Sequence, residues 1–199
     1  MKKLLLSILA TGLFATPVLA APYVSGSVGL GSLSNSSATS GGLTINDVIS
    51  YKSGVPFAVA VGIKNDGYRV EVALGSQSND VDKMKEDGVN LTSVSGSSVS
   101  IVSYLVNGYY DIDVKSSFTP YVTAGIGGAS LTVKSKGSPD ESQSVFAYQL
   151  GAGIGIKASE SVVFDLGYRY IKPSAFKVKD LADISTTSSN FLVGVRYSF

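Results

Sequence analysis

The sequence predicts an all-β protein, an eight-stranded antiparallel up-and-down β-barrel that crosses a membrane with its strands. Three observations support this prediction. Hydrophobic residues make up 44% of the chain and charged residues only 16%. Segments of roughly ten residues, the length of a tilted transmembrane strand, alternate between apolar side chains and small or polar ones. The connections between these segments alternate strictly between short and long.

The chain begins with the three parts of a secretory signal peptide. Lys2 and Lys3 supply positive charge, residues 4–14 are apolar, and Val18 and Ala20 stand at the two positions that a signal peptidase inspects. The apolar run is too short to cross a membrane as a helix. We therefore expect residues 1–20 to be a cleaved signal peptide and residues 21–199 to form the barrel.

Eight segments with a period of two follow, and side chains along a strand alternate between its two faces. These segments are 23–30, 57–64, 68–77, 102–111, 121–127, 146–157, 162–170 and 190–199. The fourth is the least regular, because Ile101 and Leu105 are apolar residues on the parity that is otherwise small or polar. After Gly128 the pattern changes phase, which predicts a β-bulge there.

The connections predict which ends of the strands lie together. Asn65-Asp66-Gly67 is a tight hairpin signal between the second and third segments. The three short connections lie around 65–67, 113–117 and 158–161, and the four longer polar ones are roughly 31–54, 78–98, 134–143 and 172–187. An outer-membrane barrel has this layout, with short periplasmic turns and longer extracellular loops.

The charged residues indicate which face of the strands meets lipid. In the last segment one parity is wholly apolar or aromatic, from Phe191 to Phe199, and other strands repeat this pattern. The opposite parity carries Arg69, Glu71, Asp165, Arg169 and Arg196. An arginine facing lipid at mid-bilayer would cost about 2–4 kcal/mol, and the apolar ligand cavity of a soluble barrel would have to desolvate these charges. The apolar face is therefore expected to meet lipid.

The five charged residues are expected to point into the lumen and to form one charge network. A structural plug that offsets buried charge is one interpretation of this network, and a selectivity element or proton path is the other. Aromatic residues are expected to form girdles at the two membrane interfaces. One girdle would contain Tyr68, Tyr110, Tyr197 and Phe199, and the other Tyr104, Tyr148, Tyr168 and Tyr170.

Composition argues against catalysis. The chain has no cysteine and no histidine, which removes disulfides, thiolate metal sites, and the commonest general base and metal ligand. The glycine runs Gly125–Gly128 and Gly151–Gly155 lack the following helix of a phosphate-binding loop, so close packing inside a small barrel explains them better. A net charge of +1 without basic clusters does not favour nucleic acid as a partner. We predict no enzyme activity, no cofactor and no metal site.

Several short runs, taken in order, carry a family resemblance. They are Asn107-Gly108-Tyr109-Tyr110-Asp111, Thr119-Pro120-Tyr121-Val122, Gln149-Leu150-Gly151-Ala152-Gly153, Gly167-Tyr168-Arg169-Tyr170 and Tyr197-Ser198-Phe199. The chain resembles the opacity and surface-antigen family of eight-stranded outer-membrane proteins, which is related in architecture to the OmpA barrel domain. The resemblance implies a Gram-negative outer membrane, and assembly by the barrel-assembly machinery with Tyr197 and Phe199 as the signal. It also implies extracellular loops that contact host factors or neighbouring cells.

The expected function follows from these features. We expect an outer-membrane surface barrel that acts through its extracellular loops, in adhesion, as a surface antigen or in envelope integrity. The alternative is a narrow porin-like channel with a charged lumen. The expected partners are outer-membrane lipid, the barrel-assembly machinery during biogenesis, and a host or cell-surface ligand of the loops. No peptidoglycan-binding domain is expected after Phe199.

Overall fold

The computed structural model describes residues 20–40, 43–86, 89–91, 96–134, 141–178 and 182–199, so the predicted signal peptide lies outside the described residues except for Ala20. Thirteen strands occur in this part of the chain. They are β1 (Ala21–Leu33), β2 (Ser36–Ser40), β3 (Leu43–Tyr51), β4 (Phe57–Asn65), β5 (Tyr68–Glu86), β6 (Val89–Leu91), β7 (Ser98–Asp111), β8 (Phe118–Lys134), β9 (Glu141–Lys157), β10 (Val162–Pro173), β11 (Phe176–Val178), β12 (Ala182–Ser185) and β13 (Ser188–Ser198). Within the same ranges, no helix is long and apolar enough to cross a membrane.

Eight of these strands form a closed, all-antiparallel barrel in the order β1-β4-β5-β7-β8-β9-β10-β13. The barrel closes because β1 pairs with β13 over its length, from Tyr23 opposite Ser198 to Leu33 opposite Ser188. The tight turn between β4 and β5 places Asp66 at a φ of 42°, a left-handed conformation that aspartate tolerates. The predicted eight-stranded up-and-down barrel and its short turns are confirmed.

The barrel wall is higher on one side than on the other. Strands β5, β8 and β9 have 19, 17 and 17 residues, whereas β4 and β13 have 9 and 11. The longer strands rise at the end where the long connections lie. We call this part the raised wall; it consists of residues 76–80 of β5, 98–102 of β7, 130–134 of β8 and 142–144 of β9.

The predicted bulge after Gly128 is wrong. Strand β8 pairs with β7 and with β9 in one unbroken register across this position. Ala129 and Leu131 keep the inward parity and are buried, while Ser130 and Thr132 face outward. The phase change therefore marks a change of surroundings along a regular strand, because the inward face becomes apolar and the outward face becomes polar.

The inward apolar residues form a core inside the raised wall. Its buried members are Leu33, Val99, Ile101, Leu105, Ala129, Leu131 and Ala147, and Tyr51, Val133 and Val145 pack against them. This core explains the apolar residues on the inward parity of β7. The Ser36 hydroxyl lies 2.6 Å from the Tyr51 hydroxyl at its edge, and burial raises the pKa of Tyr51.

The long connections themselves contain β-structure. Strands β11, β12, β2 and β3 pair with one another in that order, and β3 pairs with the upper part of β5. Strand β6 pairs with the last residues of β5, Met84 to Glu86. We call this group the loop sheet. The predicted loops 31–54, 78–98 and 172–187 are thus partly strands, while residues 135–140 of the remaining connection lie outside the described residues.

The outward face below the raised wall is apolar and exposed. Leu30 and Phe191 each expose 67% of their surface, and Ile126 exposes 61%. The rings of Tyr68 and Tyr110 lie 5.2 Å apart near the turn end. A belt of exposed apolar side chains on a closed barrel is the surface that a lipid bilayer requires.

Candidate functional site: the charged lumen

The five charged residues predicted for the lumen all face inward. Arg69 and Glu71 lie on β5, Asp165 and Arg169 on β10, and Arg196 on β13. Arg69, Glu71 and Arg196 are buried, and the other two are half-buried. Their inward direction follows from strand parity, because each alternates with exposed apolar residues along its strand.

Arg69 pairs with a carboxylate that the sequence analysis did not select, Asp111 at the end of β7. The Arg69 Nε donates to Asp111 Oδ1 at 2.9 Å, and its Nη2 lies 2.8 Å from the same oxygen. Lys64, at the mouth of the lumen, places its Nζ 3.1 Å from Asp111 Oδ2. The guanidinium is also held between two rings, 4.1 Å from the Tyr109 centroid and 4.9 Å from the Tyr121 centroid. Such cation–π contacts stabilise a desolvated arginine.

Glu71 is held by neutral donors. The Tyr23 hydroxyl donates to its Oε2 at 3.1 Å, the Tyr109 hydroxyl donates to its Oε1, and Asn107 Nδ2 donates to Oε1 at 3.2 Å. Arg169 Nη2 in turn donates to the Tyr109 hydroxyl at 3.2 Å. Tyr109 thus connects the carboxylate of Glu71 to the guanidinium of Arg169, so the two charges interact through a hydroxyl rather than by direct contact.

Arg196 and Asp165 form a second ion pair, with Nη2 3.3 Å from Oδ1. The Nε and Nη1 of Arg196 are buried and have no hydrogen-bond partner in the described part of the chain. They lie beside a cavity of about 30 Å³ whose lining includes Arg69, Glu71, Asp165 and Arg169. This volume accommodates a few water molecules, and buried donors of this kind are usually satisfied by ordered water.

The lumen charges balance once Asp111 is included. Three arginines (Arg69, Arg169 and Arg196) face three carboxylates (Glu71, Asp111 and Asp165) in the described lumen, and the half-exposed Lys64 adds one positive charge at the mouth. The pairing of β5 with β7 places Arg69 opposite Tyr109. Asp111 is two residues beyond Tyr109 on the same face of β7, so the register between these two strands would have identified it. The network therefore consists of the Asp111 carboxylate shared by Arg69 and Lys64, the Arg196–Asp165 ion pair, and Glu71, which is bridged to Arg169 by the Tyr109 hydroxyl.

Inward glycines leave room for the large lumen side chains. A Cβ on Gly153 would lie 2.4 Å from the Tyr121 hydroxyl, and one on Gly62 would lie 2.6 Å from the Tyr23 ring. A Cβ on Gly125 would meet the Asn107 amide. These contacts confirm the prediction that the glycine runs serve close packing.

Two small cavities lie among the side chains of the described lumen. Above the charged layers, a second cavity of about 40 Å³ lies between Gln77, Asn190, Leu105 and Leu192. Neither cavity exceeds the volume of a few water molecules. Ser188 donates to Gln77 at 2.7 Å next to the second cavity, and Gln77 donates to Asn79 at 2.7 Å. Side chains that bond to one another therefore occupy the described lumen around the second cavity.

A family model described as "Outer membrane protein beta-barrel domain" matches residues 6–199. The chain belongs to this family. It is an outer-membrane β-barrel of a Gram-negative bacterium, and such barrels have their short turns on the periplasmic side and their longer loops on the extracellular side. This confirms the predicted membership in the eight-stranded outer-membrane barrels and the predicted location.

Individual relatives agree with this assignment. Outer membrane protein PagN of Salmonella typhimurium is 30% identical over 123 residues, which cover 51% of this chain and 51% of PagN. The chain thus spans about half the length of the curated relative that it matches. Neisserial surface protein A has a similar structure, with a TM-score of 0.63 at 20% identity over 90% of this chain and 99% of that one.

The outer membrane protease OmpT of Escherichia coli is also similar in structure, with a TM-score of 0.55 at 10% identity over 90% of this chain and 97% of that one. Likenesses at such low identity show the fold alone. Because the barrel fold occurs in both a surface protein and a protease, function has to be inferred from the residues of this chain.

Proposed function

We propose that this outer-membrane barrel is a non-catalytic surface protein that acts through its extracellular loops, in attachment to a host or neighbouring cell. Roles as a surface antigen or in envelope integrity would use the same surface. The loop sheet is the observation that supports this proposal, because five loop strands are added to the barrel at the extracellular end. Ordered backbone in a loop lowers the entropy that binding must overcome.

The loop sheet is supported from below. Its strand β3 pairs with the upper part of β5, with Ile49 opposite Met84, and Tyr51 packs against the core of the raised wall. The side chains of Thr186 and Ser34 join the loop before β13 to the loop after β1, through bonds of 3.0 and 2.9 Å to backbone groups. These contacts hold two loops together as one surface.

Exposed lysines beside the loop sheet give a test of attachment. Lys52 and Lys83 are exposed at the extracellular end, and Lys115 and Lys157 are exposed at the periplasmic end. Bacteria that display the K52E/K83E variant should attach less to host or partner cells, because a charge reversal on the contact surface adds repulsion. The K115E/K157E variant makes the same charge change out of reach of any partner cell and should attach normally. Equal attachment by both variants would argue against a role for this surface.

The lumen supports a closed barrel rather than a channel. The alternative, a narrow porin-like channel, is favoured by the polar cavity beside Arg196 and by its two unpartnered donors. Single-channel conductance in planar bilayers separates the two functions. We expect no discrete current steps, because ion pairs and tyrosines fill the cross-section. Reproducible steps that change in size in the Arg196→Ala variant would instead establish a conducting lumen.

The absence of catalysis is part of the same proposal. The lumen carboxylates described above are held by arginine or by neutral donors inside the barrel, and the chain has no histidine to act as a general base. We further propose that outer-membrane lipid surrounds the apolar belt. During biogenesis the barrel-assembly machinery would recognise Tyr197 and Phe199, whose exposed rings lie 5.3 Å apart at the end of the last strand.

A further inference from the structure

The side chain of Arg196 carries more hydrogen-bond donors than the surrounding protein accepts. Only its Nη2 lies near a carboxylate, 3.3 Å from Asp165 Oδ1. Its Nε and Nη1 are buried and have no hydrogen-bond partner in the described part of the chain, and the residue exposes only 4% of its surface. Nε carries one N–H group and Nη1 carries two, and a guanidinium accepts no hydrogen bonds. Arg196 therefore directs unused donors into the lumen.

These donors line the cavity of about 30 Å³ described above, and small residues form the cavity wall beside them. Ser25 stands directly opposite Arg196 in the pairing of β1 with β13, and Ser27 stands opposite Gly194. All four residues have the inward parity and line the cavity. Directly opposite residues on neighbouring strands have Cβ atoms about 5 Å apart, so the serine hydroxyls add two donors within reach of the guanidinium.

The cavity lining also carries a net positive charge. It contains three arginines and two carboxylates, namely Arg69, Arg169, Arg196, Glu71 and Asp165. The third lumen carboxylate, Asp111, is not part of this lining and is shared between Arg69 and Lys64. With Lys64 included, four cations face three carboxylates among the lumen residues described above. One cation is thus left without an anionic counterpart.

We propose that this cavity binds a small monovalent anion of the halide class, such as chloride, between Arg196 and the serine hydroxyls of β1. A halide accepts hydrogen bonds and donates none, so it matches a cavity with surplus donors. A water molecule has to place two hydrogens of its own, and Glu71 in the same lining already accepts three hydrogen bonds. An arginine held away from bulk water also attracts an anion more strongly than an exposed arginine does.

Solvent reaches the site from the end of the barrel where the short turns lie. The Asp165 side chain is 19% exposed, although that of Arg196 is only 5% exposed. Arg196 also lies close to the end of β13, which stops at Ser198. A halide is only slightly larger than a water molecule, so it can enter from this mouth. An anion that binds the folded barrel and not the unfolded chain stabilises the fold in proportion to its occupancy.

Urea titration at different chloride concentrations tests this binding. The refolded protein in phosphatidylcholine vesicles is unfolded at about 10 mM and at about 300 mM sodium chloride, with sodium gluconate added to keep the ionic strength, and hence the charge screening, constant. Gluconate is too large for the cavity. The higher chloride concentration should lower the unfolding equilibrium constant at least about fivefold, because chloride binds the folded barrel alone.

Three variants make the response specific to the cavity. S25A/S27A removes two hydroxyls from its lining and should reduce the chloride response to less than about twofold. S103A removes an inward hydroxyl beside the second cavity and should respond like the unchanged protein. Arg196→Met removes the guanidinium itself and should show no chloride response. Where Arg196→Met does not fold, the comparison of S25A/S27A with S103A decides the question.

Bromide locates the anion directly, because it replaces chloride and scatters X-rays anomalously. Crystals of the refolded protein grown in sodium bromide should show an anomalous peak within about 3.5 Å of Arg196 Nε or Nη1, the outer limit of a hydrogen bond. A water molecule in the cavity and no anomalous peak would overturn the proposal. A peak without any chloride dependence of stability would mean an adventitious ion only and would overturn it as well. Equal chloride responses in S25A/S27A and S103A would have the same consequence.

Discussion

Replacing Asp111 by asparagine should be among the most destabilising single changes in the lumen. Asp111 accepts from Arg69 Nε at 2.9 and 3.2 Å, lies 2.8 Å from Arg69 Nη2, and lies 3.1 Å from Lys64 Nζ. The Arg69 side chain is only 3% exposed, whereas Lys64 is 41% exposed and can turn toward water. The Asp111→Asn variant therefore leaves one guanidinium buried without a counter-charge.

Removing one partner of a buried ion pair costs about 3–5 kcal/mol. The lower end applies here, because an asparagine oxygen can still accept one bond and two tyrosine rings still hold Arg69. We expect the free energy of unfolding to fall by about 3 kcal/mol, which shifts the folding equilibrium roughly a hundredfold. Urea titration of the refolded protein in vesicles, read by gel mobility, measures this change.

Two further variants make the test specific. Asp66→Asn changes the same atoms at an exposed turn with φ of 42°, where asparagine is equally suitable, and should leave stability unchanged. The R69M/D111N variant removes both charges and should be more stable than Asp111→Asn alone, since exchanging a buried pair for apolar groups is often nearly neutral. A loss below about 0.5 kcal/mol in Asp111→Asn, a typical surface effect, would refute the reasoning, as would a double variant no more stable than the single one.

Two other predictions concern packing and the loops. Gly153→Ala should lower the free energy of unfolding by about 1–3 kcal/mol, because its Cβ would lie 2.4 Å from both the Tyr121 hydroxyl and the Leu166 carbonyl oxygen. Gly108→Ala, whose Cβ would have its nearest neighbour at 3.9 Å, should be tolerated in the same urea assay. Tyr51→Phe removes the hydroxyl that lies 2.6 Å from Ser36, at a cost of about 1 kcal/mol, and should speed limited proteolysis of the extracellular loops. Tyr110→Phe at the periplasmic interface should not change the proteolysis rate.

Strand parity predicts much of the barrel and of its lumen. Period-two alternation assigns Arg69, Glu71 and Arg196 to one face, and the cost of arginine in lipid assigns that face to the interior. Pairing partners are harder to predict, because contacts depend on the register between strands as well as on parity. Asp111 and Tyr109 were on the inward parity, yet their roles toward Arg69 and Glu71 emerge only when β5 and β7 are aligned.

The β-structure of the long connections was not predicted. Short strands such as β11 and β12 carry too few residues for a period of two to stand out, and they are stabilised by neighbours that are distant in sequence. The predicted bulge failed for a related reason. The period of two shows only which face of a strand is apolar. A β-bulge and a change in the surroundings of a regular strand both exchange the apolar and polar faces, so the pattern alone does not distinguish them.

The raised wall shows how one strand can serve both environments. In the apolar belt β8 presents Val122 and Ile126 outward and Tyr121 to a polar interior, while above the belt Ser130 faces outward and Leu131 faces an apolar core. The backbone needs no irregularity for this inversion, because pairing is the same whichever face is apolar. The height at which the outward face changes from apolar to polar therefore indicates where the membrane surface lies. On β5, β8 and β9 it lies between the row that contains Phe146 and the row that contains Ser144, and on β7 it lies one row higher, between Val102 and Ser100. A strand that crosses from lipid to water can thus remain straight and continuously hydrogen-bonded, provided that its side chains exchange faces at the boundary.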